Sequence, residues 1–283
     1  MSHTDTIWVV GGDRRQVELA RLLARDGHTV RTFALEDRPE PDTKNLETAR
    51  CVIFPLSISV SPGLLNAPAI HEPLLLEEIF RCLSPDQILL GGRVDKTTGT
   101  LAQSRGLTIH DYFLREELAV ANAVPTAEGA IQLAMEHLPI TVHGARVLVL
   151  GFGRVGKVTA QRFAALGARV CVAARKPEQL AWAEAMGLTG VPLTGLNHQL
   201  PRCDLIINTI PSPVLGTEHL TSLSPDCLLL ELASAPGGVD PAVAQQLGRR
   251  LIQAPGLPGK VAPVTAAQVI KTTIYHMLRE LGQ

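Results

Sequence analysis

No run of this sequence approaches the roughly 20 consecutive apolar residues that a membrane-crossing helix requires. The amino end, MSHTDTIWVV, has neither a basic start nor a long apolar stretch, so no leader is expected there. Together these absences predict a cytoplasmic chain that does not engage a membrane. Charge of one sign is missing as well: 26 basic residues stand against 27 acidic ones. Without a polycationic patch nucleic-acid binding is not expected, and with 46% apolar residues neither is disorder. None of the five cysteines belongs to a C-x-x-C pair and the nine histidines lack ligand spacing, so no metal site is expected. Cys51, Cys171 and Cys227 lie at or within apolar, strand-like runs and read as reduced structural thiols.

What is present centres on residues 146–176, RVLVLGFGRVGKVTAQRFAALGARVCVAARK. An apolar strand runs into Gly151, Gly153 and Gly156 complete G-x-G-x-x-G, and helix-period apolar residues follow at Val155, Val158, Phe163 and Leu166. In a dinucleotide fingerprint the first glycine permits the turn, the second lets a pyrophosphate approach the backbone, and the third lets the helix pack close to the strand. Gly151, Gly153, Arg154, Val155 and Gly156 are therefore the expected pyrophosphate contacts. The second strand, over 168–174, ends without the acid that holds the ribose hydroxyls of NAD; the chain reads Ala-Ala-Arg-Lys, and no carboxylate precedes Glu178. Arg175 and Lys176 suit a 2′-phosphate instead, so NADP(H) is favoured over NAD(H).

A length of 283 residues suits two domains. The first α/β unit opens with a strand at 7–10, the turn Gly11-Gly12-Asp13, a helix with Val17, Leu19, Leu22 and Leu23 inward, and a strand at 29–33. Here Asp13 stands where the second glycine belongs and Gln16 where the third does, so a carboxylate would repel a pyrophosphate. Only the second unit is expected to take a dinucleotide. Arg14 and Arg15 are left for another anion, for a domain contact, or for plain solvation. Residues 36–45, with Pro39 and Pro41, read as a loop. The apolar strand at 51–56 leads into Ser57 and Ser59, which either contact substrate at a strand's carboxyl end or form a plain polar loop. A helix is expected over 73–83 and strands over 87–90 and 107–110.

The expected organisation is α/β throughout: two Rossmann-like or flavodoxin-like parallel-sheet domains with an interdomain cleft. The substrate-side domain covers 1–124. A junction helix over 125–138, with Pro125 at its start, leads into the cofactor domain, 125–262, and the last helix, 263–283, packs back on the first domain with Ile270, Ile274, Met277, Leu278 and Leu281 inward. Thr126 and Glu128, near the start of the junction helix, either face the substrate or, for Glu128, answer the helix dipole. Strand ends at Thr209 and Pro211 and at Ala233 and Ser234 are expected beside the ribose and nicotinamide. The segment 254–263, APGLPGKVAP, reads as a stiff loop rather than helix or strand.

VVGGDRRQ at 9–16, VPTAEGAI at 124–131, HGARVLVLGFGRVG at 143–156, NTIPS at 208–212, ELASAPGG at 231–238 and APGLPGKVAP together resemble one family, in order and over nearly the whole chain. It is the family of the dehydrogenase-like, A-type subunit of dipicolinate synthase. That resemblance implies oxidation of a dihydro- or hydroxytetrahydrodipicolinate to dipicolinate with NAD(P)+ taking the hydride. It also implies the flavoprotein-like B-type subunit of dipicolinate synthase as partner and a role in the mother cell of a sporulating bacterium. Self-association is compatible with it. Aromatisation drives such a reaction, so the protein must mainly hold the ring, neutralise two carboxylates and accept a proton. Arg15 and Arg115 are the candidate carboxylate ligands, Glu128 the candidate base with Thr126 beside it, and His110 the reserve. His198, His219 and His276 lie away from the expected nicotinamide loops, which argues against alcohol oxidation with a histidine base. A 2-hydroxyacid or amino-acid dehydrogenase of similar build and a non-catalytic NADPH-binding regulatory subunit remain the alternatives.

Overall fold

The computed structural model describes residues 6–35 and 46–282; the loop expected over 36–45 lies outside them. The elements run β1 (Thr6–Val10), α1 (Arg14–Arg25), β2 (Thr29–Phe33), β3 (Cys51–Leu56), β4 (Ser59–Ser61), β5 (Leu64–Leu65), α2 (Leu76–Arg81), β6 (Ile88–Gly92), α3 (Lys96–Gln103), β7 (Ile109–Asp111) and α4 (Glu116–His137). There follow β8 (Arg146–Leu150), α5 (Arg154–Ala165), β9 (Arg169–Ala174), α6 (Pro177–Ala185), β10 (Thr189–Pro192), α7 (Leu196–Gln199), β11 (Leu205–Asn208), α8 (Thr217–Thr221), β12 (Leu228–Glu231), α9 (Pro241–Gln246), β13 (Arg250–Gln253), α10 (Leu257–Val261) and α11 (Pro263–Glu280). The chain divides into two units, Met1–Ala121 with Ala262–Gln283, and Asn122–Val261.

In the first unit five parallel strands stand in the order β2-β1-β3-β6-β7. This is the flavodoxin-like order, with its switch point between β1 and β3. Alternation along the strands sends Ile7, Val9, Cys51 and Ile53 to one face, where α1 and α11 cover them, and Trp8, Val10, Val52 and Phe54 to the other, beneath α2 and α3. Helix α11 packs along α1 with Ile270, Ile274, Met277 and Leu278 buried, whereas Leu281, expected inward, caps the helix and is exposed.

The second unit is a six-stranded parallel sheet, β10-β9-β8-β11-β12-β13. Numbered within the unit, that is the 3-2-1-4-5-6 Rossmann order, with the switch point between β8 and β11. The expected α/β class with two parallel-sheet domains is therefore borne out. Val147 and Val149 pack on one face with Ala130, Ala134, Ala160 and Phe163, and Leu148 and Leu150 on the other with Leu196, Leu220 and Ala244. Helix α5 turns Gly156, Thr159, Ala160 and Phe163 inward, while Val155 and Val158 are half-buried and Leu166 is exposed. Small residues, not the large ones, let this helix lie close to the sheet.

Two expectations about proline fail. Pro125 does not start a helix: α4 begins at Glu116 and runs through it. The acidic first turn of Glu116 and Glu117 and the alanine-rich stretch beyond favour the longer helix enough to tolerate the one N–H that proline lacks. Residues 254–263 are not all loop, because α10 occupies Leu257–Val261. Pro258 sits in its first turn, where a missing N–H costs nothing, and Leu257 is buried against Gly129 of α4. Among the described residues no helix is long and apolar enough to cross a membrane.

Candidate functional site

In the second unit β8 delivers the chain to the three glycines, and each has a distinct physical role. Gly151 has φ +92°, a left-handed conformation, and a Cβ there would lie 2.6 Å from Thr209 Oγ1. Gly156 is tighter still: its Cβ would stand 2.1 Å from the carbonyl oxygen of Gly151, so the first turn of α5 rests directly on the turn. Gly153 is the opposite case. It caps α5 with an ordinary φ of −81°, brings no capping side chain, and has nothing within 4 Å of where a Cβ would point. An uncapped helix start over open space, with no acid in its first turn, is a cradle for phosphate. Arg154 and Val155 form that turn, Arg154 exposed and Val155 half-buried.

Beside this turn, the Gly151 N–H donates to Ala173 O at 2.8 Å, which sets the end of β9 alongside the first glycine. Arg175 and Lys176 follow immediately, both exposed. Lys176 pairs loosely with Glu178 at 3.6 Å, and Arg175 has no acidic partner among the described residues. On the other side of the switch point, the Thr209 N–H and Oγ1 both donate to Leu150 O, at 2.9 and 2.8 Å. The Thr209 hydroxyl thus locks the strand ends beneath the glycine turn and keeps only its acceptor face for a ligand. Pro211 and Ser234 are exposed and Ala233 is half-buried, all on loops beyond β11 and β12. At the strand ends from which those loops leave lie two buried polar residues not expected as site residues, although each opens a motif, Asn208 in NTIPS and Glu231 in ELASAPGG, bonded at 2.7 Å. A signal existed: each is the one polar residue closing an otherwise apolar strand, LIIN and LLLE.

The corresponding turn of the first unit is filled from within. Asp13 caps α1 by accepting the Arg15 N–H at 3.0 Å, so an amide that a phosphate would use is already occupied. The Arg15 guanidinium also grips both Asp13 oxygens and donates to Leu56 O at 2.7 Å. Burial works against the Asp13 charge, yet the Arg15 contacts outweigh it and hold the carboxyl below its ordinary range. Gln16 folds beneath Gly12, where a Cβ would meet its Cγ at 2.2 Å. Ser57, half-buried, directly follows β3 at the switch point.

Several expected site residues are placed for other work. Ser59 donates its hydroxyl to Asp95, the residue that caps α3. Arg115 bonds Glu117 and, through two nitrogens, Glu280, tying the start of α4 to the end of α11; taking a substrate carboxylate would mean breaking that fork. Thr126 donates to Asn122 O at 2.7 Å, a local helix bond that uses its proton. Glu128 is 53% exposed and faces Arg162 at 3.7 Å. Arg162 lies two turns, roughly 12 Å of rise, along α5 from the glycine turn. His110 sits on β7, the edge strand, two strands or about 10 Å from β3.

Comparison with known proteins follows the same division. Residues 6–113 match the family model of the N-terminal domain of the dipicolinate synthase A-type subunit, and residues 114–257 match that of the D-isomer specific 2-hydroxyacid dehydrogenase, NAD binding domain. Over 97% of its length the chain is 33% identical to the A-type subunit of dipicolinate synthase from Bacillus subtilis (strain 168), of which it covers 96%. The chain belongs to the dipicolinate synthase A-type subunit family. Crystal structures of two such proteins agree: that from Bacillus halodurans superposes with a TM-score of 0.89 at 30% identity, covering 98% of this chain and 99% of that one. The Bacillus subtilis protein gives 0.87 at 32%, covering 100% of this chain and 98% of its own. As a member of that family with an NAD-binding dehydrogenase domain, the protein is an NAD(P)-dependent oxidoreductase. The open position at Gly153 and the uncapped start of α5 fit a nicotinamide dinucleotide.

Proposed function

We propose that this chain oxidises dihydrodipicolinate, or its hydroxytetrahydro precursor, to dipicolinate, with NADP+ preferred over NAD+ and in partnership with the flavoprotein-like B-type subunit of dipicolinate synthase. The observation that carries the reading is the open glycine turn flanked by Arg175 and Lys176, in a chain that matches the A-type family along its length. Gly151 to Gly156 hold the pyrophosphate; Arg175 and Lys176 take the 2′-phosphate; Thr209, Pro211, Ala233 and Ser234 flank the nicotinamide half. When bound, the nicotinamide supplies the hydride acceptor.

For the substrate, Arg15 and Ser57 are the ligands carried into the proposal. Ser57 directly follows β3 and Arg15 lies in the first turn of α1, just beyond β1, so both are close to the carboxyl ends of the strands flanking a switch point, where α/β sheets bind ligands. Arg15 uses Nε and Nη2 on Asp13 and Leu56 O and keeps Nη1 for a substrate carboxylate. Asp13 alongside it disfavours a second anion there, so one carboxylate, not two, is held by this guanidinium. Ser59, Arg115, Thr126 and Glu128 are not carried into the proposal, for the contacts given above, and the proton acceptor is left unassigned.

The test is direct. The chain is mixed with a candidate flavoprotein-like partner, the dihydrodipicolinate precursor and NADP+ are supplied, and reduced cofactor and the pyridine product are followed together. They should rise in equal amounts. Turnover of 2-oxo acids in place of this reaction would overturn the substrate. Arg175→Ala should weaken NADP+ about tenfold, the loss of one charge-assisted contact, and leave NAD+ nearly unchanged. Equal losses would remove the 2′-phosphate assignment.

A further inference from the structure

The carboxylate of Glu231 is buried at 6% exposure, closes β12, and has no cation paired with it among the described residues. Its charge is held instead by four N–H groups. Oε1 accepts from Asn208 Nδ2 at 2.7 Å and from the Ala233 N–H at 3.0 Å. Oε2 accepts from the Gly238 N–H at 2.8 Å and the Val239 N–H at 3.2 Å. Asn208, 1% exposed and directly in register with Glu231, accepts the Ile210 N–H at 3.1 Å and donates to Ile210 O at 2.9 Å. One pair of side chains therefore shapes two loops: the one that leaves β11 at Thr209 and the one that leaves β12 and returns at Val239. The second loop wraps the carboxylate closely. A Cβ at Gly237 would come within 3.1 Å of Glu231 Oε2, and one at Gly238 within 2.4 Å of Asn208 Nδ2.

A strand end that needed only packing would be served more cheaply by an apolar residue, because an unpaired buried charge is costly. What the carboxylate adds is geometry, since it fixes Ala233, Gly238 and Val239 about one point. In a Rossmann sheet the strands on the β9 side of the switch point serve the adenosine half of the cofactor, and β11 and β12 serve the nicotinamide half. We propose that Asn208 and Glu231 act as a positioning pair that shapes the Thr209–Pro211 and Ala233–Gly238 loops against the nicotinamide half of the cofactor. This rests on the nicotinamide-cofactor reading of the second unit and not on the identity of the substrate.

Glu231→Gln keeps the size of the side chain but points an amide N–H at backbone N–H donors. Whichever of NADPH or NADH binds the wild-type chain more tightly is titrated against wild type and variant by fluorescence, beside the matching fragment that lacks nicotinamide (2′-phospho-ADP-ribose or ADP-ribose). The variant should lose about tenfold or more for the whole cofactor, on the order of one charge-assisted hydrogen bond, and less than about twofold for the fragment. Glu231→Asp retains the charge but falls short of some donors, and it should show a smaller loss with the same selectivity. It also carries the comparison should Glu231→Gln not fold. Equal loss of cofactor and fragment would make the pair a general prop of the domain and overturn the proposal, as would unchanged binding of both. A chain that passes this test yet makes no dipicolinate would leave the pair intact and remove only the proposed substrate.

Discussion

Gly153→Asp is expected to abolish NAD(P)H binding, with a loss of at least about a hundredfold, while the protein melts at or slightly above the wild-type temperature. The open space at this position allows the side chain, and φ −81° suits any residue. An aspartate at a helix N-cap typically adds up to about 1 kcal/mol of stability. The first unit already contains that arrangement, since Asp13 caps α1 and accepts the Arg15 amide. Transplanted to α5, the same carboxylate would occupy the helix start and repel the pyrophosphate. Gly156→Ala should fail in the opposite way. Its Cβ would meet the Gly151 carbonyl at 2.1 Å, backbone against backbone, so the helix must move and about 3 kcal/mol of stability is lost along with binding. Thermal melts and cofactor titrations of the two variants separate the effects. Gly153→Asp binding within tenfold of wild type would show that the turn does not hold the dinucleotide. If a complex with the proposed flavoprotein-like partner stays fully active with the Gly153→Asp chain, a cofactor held at this turn does not take the hydride in that complex.

The glycine turns were legible because each role is local: a left-handed φ at Gly151 and a close approach at Gly156 depend on residues within one turn. Parallel strands were legible for a similar reason, as short apolar runs bounded by turn residues need no partner to be recognised. Proline was the weak guide. Pro125 reads as a helix start and the proline-rich segment 254–263 as a loop, yet Pro125 sits inside a 22-residue helix and Pro258 in a first helical turn. What tips each is packing: Leu118 and Ala130 are buried on either side of Pro125, and Leu257 is anchored on Gly129. Side-chain roles were least legible. Arg115 looked free beside the junction because Glu280, its partner, lies 165 positions away. Glu128 and Thr126 invite a catalytic reading in the sequence, whereas in the fold Glu128 faces Arg162 and the Thr126 hydroxyl bonds its own helix. Asn208 and Glu231 are informative only as a pair, and strand order is what makes them one.

The largest long-range surprise is Lys271, a buried cation on the inward face of α11, and removing its partner is expected to weaken the first unit. Its ammonium lies 2.6 Å from Asp26 at the end of α1, and Tyr275 donates to the same carboxylate oxygen at 2.7 Å. These two bonds, Lys271 first, hold the Asp26 carboxyl below its ordinary range against the cost of desolvation. Asp26→Asn keeps an oxygen for Tyr275 but leaves the ammonium without its anion. Breaking a fully buried pair in this way costs about 3–5 kcal/mol; Asp26 is partly open to water, so about 2 kcal/mol is expected. A second substitution, Lys271→Met, should recover most of that loss, because a buried ion pair contributes little beyond its apolar replacement. The pH dependence follows from the sign of the shift. A carboxyl depressed in the folded state contributes stability that is fully present above its unfolded value, about 3.9, and lost as pH falls through the folded value. The gap in melting temperature between wild type and Asp26→Asn should therefore be open at about pH 7 and narrow as the pH falls below about 4. A gap that persists unchanged at lower pH would mean that the pair acts through packing alone, and an unaltered melt at pH 7 would mean that α11 is held to α1 by Ile270, Ile274 and Met277 without it.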